Sequence, residues 1–153
     1  TTAIGKIKLD TTPTAEEVLK NRYKSAVRCP DLKQAKVMEE AILDAKNEGD
    51  SLGGLVECVA LNVPVGVGEP LFDSLDADIA KMLFNVPAVK GVEFGVGFKA
   101  AELKGSENND AYALQNGKIV ALTNNAGGIL GGISFRAISF SLLRVDWMVP
   151  ATS

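Results

Sequence analysis

Asn116-Gly117 separates two short runs of β-forming residues, Tyr112 to Gln115 and Lys118 to Leu122. The pair accepts positive φ at both central positions of a two-residue turn. It therefore predicts a β-hairpin, an antiparallel element that breaks any purely parallel plan. Strands and helices alternate around it. Thr2 to Leu9 reads as one strand, and Thr14-Ala-Glu-Glu17 forms a capping box that starts a short helix to about Tyr23. Asp31 caps a longer helix in which Ala35, Met38, Ala41, Ile42 and Ala45 recur at three- and four-residue spacing, with Gly49 placed to end it. Gly53 to Leu61 reads as a strand in the interior of a sheet. A helix from about Phe72 to Asn85 carries Leu75, Ile79 and Leu83 on one stripe and is closed by Pro87. Val89 to Phe94 is a further strand.

Composition narrows the chemistry. Hydrophobic residues make up 46% and charged residues 23% of the 153, enough apolar content for a core and too little charge for a disordered tail. The net charge of −3 disfavours a generally basic nucleic-acid binder. There is no histidine, so Ser-His-Asp and Cys-His mechanisms, His-ligated metals and a histidine general acid are excluded within this stretch. Cys29 and Cys58 lack companion ligands and read as two reduced packing cysteines. The most apolar stretch, Leu52 to Val67, carries Glu57, Asn62 and Pro64, which would be costly in a bilayer, so a cytoplasmic chain with no membrane partner is expected.

The sharpest local feature is Thr123 to Ser134, with four glycines in six positions between Gly127 and Gly132. Such a backbone can approach a flat or phosphorylated ligand, with successive amides pointing at it. Ile133 stands where a P-loop needs lysine, so a Walker A site is rejected. Asp73, Asp76 and Asp78 cannot all converge from one helix and read as capping and solvated groups, leaving no metal site. Asn108, Asn109 and Asp110 read as an exposed polar turn.

Seven segments then fall in one recognisable order: Arg28-Cys-Pro-Asp31, Glu48-Gly-Asp-Ser-Leu-Gly-Gly54, Gly66-Val-Gly-Glu-Pro70, Leu75-Asp-Ala-Asp78, Pro87-Ala-Val-Lys-Gly-Val-Glu93, Gly105-Ser-Glu-Asn108 and Asn124-Asn-Ala-Gly-Gly-Ile-Leu-Gly-Gly-Ile-Ser134. From about Ile4 to Ser134 the chain resembles the middle section of chorismate synthase. The resemblance implies an α+β fold, a layered β-α-β sandwich with antiparallel sheets flanking helices. It implies a homotetramer that uses reduced FMN to convert 5-enolpyruvylshikimate 3-phosphate to chorismate by 1,4-elimination of phosphate and a proton. It further implies FMN contacts at Pro87, Ala88 and Gly131, with Asn125 a neighbour; for Gly131 alone the alternative is tight packing.

The family's two catalytic histidines, its arginine-rich substrate cluster and its late Lys-Pro-Thr and Arg-His-Asp-Pro segments have no counterpart here. No catalytic residue is therefore assigned within the chain. Residues 1–134 read as an incomplete family region and 135–153 as a divergent segment, which a truncated, frameshifted or partial product would explain. On that reading Leu55, Val59, Ile79, Leu83, Val92 and Phe94 belong to inner faces left without partners, and the chain is prone to self-association. The rival reading is a non-catalytic folding or interaction module that keeps the family fold without flavin. A phosphate-binding domain of unrelated descent, built on the glycine loop, is a third.

Overall fold

The computed structural model describes residues 1–135 and 143–149. The chain divides into two compact units, one comprising Thr1–Glu57, Ala88–Lys90 and the segment from Val145, the other Cys58–Pro87 and Gly91–Arg144. Helices occur with antiparallel strand pairs, so the fold is α+β.

In the first unit, β1 (Ala3–Ile4) and β2 (Ile7–Lys8) form a tight antiparallel hairpin in which Ala3 faces Lys8 and Ile4 faces Ile7. The single strand expected over Thr2 to Leu9 is thus folded in two. Gly5, at φ +54°, opens the Gly-Lys turn, and Gly at the first position is what such two-residue turns select. Helix α1 (Ala15–Asn21) begins with the expected capping box, Thr14 Oγ1 accepting from the Glu17 amide at 3.2 Å and Glu17 Oε2 accepting from the Thr14 amide at 2.8 Å. Helix α2 (Leu32–Asn47) is capped by Asp31, whose Oδ1 accepts from the Lys33 and Gln34 amides at 2.8 and 3.2 Å, and it stops at Gly49, which takes φ +71°. Its apolar stripe buries Ala35 and Met38 against Ile4 and Cys29, and this cluster is the unit's core. Strand β3 (Leu52–Cys58) pairs with β1, Ile4 opposite Gly54. With β4 (Val89–Glu93) and β9 (Leu143–Val149) it completes a sheet ordered β2-β1-β3-β9-β4, in which β3 is interior, as its apolar run predicts. Cys29 is a buried free thiol, in keeping with a packing role; Cys58, at the end of β3, is exposed and departs from it.

The second unit contains α3 (Leu75–Phe84), a 3₁₀ turn over Gly97–Glu102 and the short helix α4 (Gly105–Asn108). Two hairpins lie among its described residues. The first joins β5 (Tyr112–Gln115) to β6 (Lys118–Ala121), with Asn116 and Gly117 at φ +52° and +73°, as their sequence demands. The second is formed by the glycine loop itself. β7 (Ile129–Leu130) pairs with β8 (Ile133–Ser134) across Gly131-Gly132, both at positive φ, +57° and +82°. Of the residues expected on inner faces, Leu55, Ile79, Leu83, Val92 and Phe94 are half-buried, while Val59 lies beyond the end of β3 and is exposed.

Candidate functional site

The segment Thr123–Ser134 is fastened at both ends and open at its tip. At its start the buried Asp110 carboxylate, 8% exposed, accepts three hydrogen bonds. Oδ1 receives the Thr123 hydroxyl and the Asn125 amide, each at 2.6 Å, and Oδ2 receives the Ala126 amide at 3.0 Å. A hydrogen bond to an ionised group is worth about 1.5–3 kcal/mol. Burial by itself pushes this carboxyl up, yet the Thr123 hydroxyl and the Ala126 and Asn125 amides outweigh it and hold the group below the usual aspartate range. Asp110 is therefore part of the site's framework, and the exposed polar turn expected there is corrected. The amides of Asn125 and Ala126, just before the glycine run, are turned onto the chain's own carboxylate. These two amides are thereby unavailable to a bound anion.

Backbone meets backbone just beyond. The Val96 amide donates to the Asn125 carbonyl at 3.0 Å. A Cβ on Gly95 would strike the Asn125 carbonyl oxygen, and one on Gly127 would strike the Gly95 amide nitrogen. At the far end the Leu75 amide donates to the Gly132 carbonyl at 2.8 Å, and a Cβ on Gly132 would lie 2.6 Å from Ser74 Cβ. Ser134 is fully buried and fully satisfied: its hydroxyl donates to the Pro64 carbonyl at 2.6 Å and accepts from the Val67 amide at 2.8 Å.

Gly131 differs from these neighbours. It is exposed, and nothing lies within 4 Å of where its Cβ would stand. No described residue packs against the direction its Cβ would take, and its φ of +57° suits the turn. Nearby in the chain, Asn124 Oδ1 is buried with no hydrogen-bond partner, an acceptor in want of a donor. The Asn125 side chain is committed to the fold, its Nδ2 donating to the Glu107 carbonyl at 3.1 Å.

The four residues singled out from sequence fall in two places. Asn125 and Gly131 share the loop. Pro87 and Ala88 form the turn between α3 and β4, Ala88 with φ +69°. Gly132 touches the N-terminal end of α3 and Pro87 follows its C-terminal end. A ten-residue helix is about 15 Å long.

A family model described as chorismate synthase matches residues 1–142. The chain belongs to the chorismate synthase family. A chorismate synthase of Dehalococcoides mccartyi is 54% identical over 122 residues, covering 80% of this chain and 34% of its own length. That of Methanosarcina barkeri is 56% identical over 119 residues, covering 78% and 33%. A solved structure titled as a crystal structure of chorismate synthase superposes with a TM-score of 0.84 at 30% identity, over 95% of this chain and 47% of that one. The chain thus spans about a third of the length of the curated chorismate synthases it matches. Among the described residues no helix is long and apolar enough to cross a membrane.

The lowered Asp110 pKa has a definite sign. A carboxyl depressed in the folded state stabilises the fold at pH values above the ordinary aspartate range, and that stabilisation is lost as pH falls through and below it. A carbon-detected NMR titration should therefore find the Asp110 carboxyl ionised below the usual range, with the Asn125 and Ala126 amide signals shifting in step. A midpoint within the usual range would mean that the three hydrogen bonds do not form in solution.

Proposed function

We propose that this chain is the portion of a chorismate synthase that builds part of its reduced-FMN pocket. The protein it serves would convert 5-enolpyruvylshikimate 3-phosphate to chorismate by 1,4-elimination of phosphate and a proton. Family membership supports the reaction. The open Cβ direction at Gly131, in a loop whose neighbouring glycines are packed, is the observation that carries the pocket. Reduced flavin, when bound, supplies electron density that helps phosphate leave.

The chain's own contribution is shape. Gly131 leaves room for a planar ring against the backbone. Pro87 and Ala88, in the turn that follows α3, are the other two contacts this reading takes from the family resemblance. Asn125 acts by holding the loop. The reading includes a homotetramer in the cytoplasm. No imidazole is available from these 153 residues, so the proton transfers need groups from outside this stretch. The chain by itself should give no chorismate above a no-protein control.

The deciding experiment is Gly131→Asn in an active chorismate synthase carrying this segment. Asn tolerates the left-handed backbone, and Asn-Gly already makes the same kind of turn at Asn116-Gly117, so folding stability should change by less than about 0.5 kcal/mol. The new side chain occupies the open space, and reduced-FMN affinity should fall roughly 5- to 150-fold, the equivalent of an overpacking cost of 1–3 kcal/mol. Unchanged affinity in a folded variant would remove Gly131 from the pocket. Wild-type protein that ignored reduced FMN altogether would favour the non-catalytic module.

A further inference from the structure

We infer that Asp110 is a positioning residue for the flavin pocket: its carboxylate, by gathering Thr123, Asn125 and Ala126, sets the glycine loop in the shape that receives the ring. The inference rests on the flavin reading of the loop and deepens it by naming the group that pre-forms the site. Three facts carry it. Asp110 precedes β5 and Thr123 follows β6, so the hairpin brings the carboxylate under the loop while standing outside it. The bonds cover three of the four positions immediately before Gly127, where a small backbone rotation would propagate to the tip. The Asn125 carbonyl is meanwhile tied to Val96, so the same peptide stretch is held from two sides. No part of Asp110 reaches Gly131 in this arrangement of bonds; it acts through the loop, and a loop fixed beforehand loses less freedom when a ligand arrives.

The chemistry of substitution is unusually discriminating at this position. Asp110→Asn keeps the volume, but its single oxygen can satisfy only one side of the clamp, and its NH₂ must then face the Asn125 or the Ala126 backbone N–H, donor against donor. Thr123→Val removes one donor and leaves both amide bonds. Asp110→Glu restores the charge at a displaced position. In an active chorismate synthase carrying this segment, hydrogen exchange of the 123–128 segment should quicken about tenfold in Asp110→Asn and less in Thr123→Val, with α2 protection unchanged. Reduced-FMN affinity should fall in the same order, by roughly tenfold or more for Asp110→Asn, the equivalent of losing one hydrogen bond to a charged group. Asp110→Glu should recover part of the affinity, and the absorbance difference spectrum of bound flavin should shift in Asp110→Asn and return towards wild type in Asp110→Glu.

The inference is overturned if wild type binds reduced FMN and Asp110→Asn, folded by its α2 protection, binds it equally well with the same spectrum. It is overturned equally if exchange of 123–128 does not change. Should Asp110→Asn fail to fold, Thr123→Val decides by the same two readouts. Wild-type protein that binds no reduced FMN overturns the flavin reading and this inference together, an outcome that the wild-type titration alone separates from the other two.

Discussion

Gly127→Ala is expected to collapse the glycine loop and cost on the order of 3 kcal/mol, combining two independent penalties. The first is the left-handed backbone: Gly127 sits at φ +68°, where an L side chain costs about 1–2 kcal/mol. The second is steric. The new methyl would be driven into the Gly95 amide nitrogen, with the Gly95 Cα only 2.9 Å away. Both are main-chain atoms of a turn that is itself held by the Val96 to Asn125 bond, so neither can swing aside as a side chain could. Forcing a methyl into such a space costs about 1–3 kcal/mol more. Gly131→Ala supplies the control, because it pays the backbone term at φ +57° and meets nothing within 4 Å. Denaturant midpoints of the two variants should differ by the steric part alone. Equal midpoints would show that the two loops do not approach as closely as Gly95 and Gly127 do here.

How much of this was readable in advance depends on the range of the interaction. Caps and turns are decided by a few consecutive residues, and Thr14 with Glu17, Asp31, Gly49 and Asn116-Gly117 all perform as their sequence predicts. Gly5-Lys6 and Gly131-Gly132 obey the same turn chemistry, but the strands beside them are two residues long, too short for a periodic signal. Asp110 is the instructive miss. Its partners lie 13 to 16 residues away, and its neighbours Asn108 and Asn109 have the composition of a surface turn. A signal was nevertheless present in the hairpin register. Gln115 pairs with Lys118 and Tyr112 with Ala121, and counting outward from the turn sets Asp110 opposite Thr123. Hairpin geometry, fixed by two residues at its tip, thus places a carboxylate beneath a loop that begins where the hairpin ends. By contrast, no local pattern marks Gly95 as the residue against which Gly127 packs, nor Ser134 as the anchor for Pro64 and Val67; those contacts join segments some 30 and 70 residues apart and exist only once the chain has folded.

Met38→Ala should be the most damaging single change in the first unit, with an expected loss of about 2–5 kcal/mol. Met38 is wholly buried, and it shares the core with Ile4, Cys29 and Ala35, two of which are small. Ile4 and Met38 are therefore the two large wholly buried side chains of the cluster, with Ile7, Leu9, Val27, Ile42 and Leu52 packed around them. The cost of such a truncation depends on whether neighbours can close the gap. Here the adjacent Ile4 and Ile42 also line an opening of about 560 Å³ bounded by Val27, Leu43 and Val56. Shifting either isoleucine into the vacated space would enlarge that opening instead of removing a void. Little relief is available, and the loss should sit in the upper half of the range. Against a domain stability of about 5–15 kcal/mol, that is enough to populate the unfolded state measurably. Met38→Leu nearly conserves volume and should cost less than about 1.5 kcal/mol. Urea unfolding of the three proteins tests the argument: a Met38→Ala midpoint no lower than that of Met38→Leu would mean that α2 does not rest on this residue.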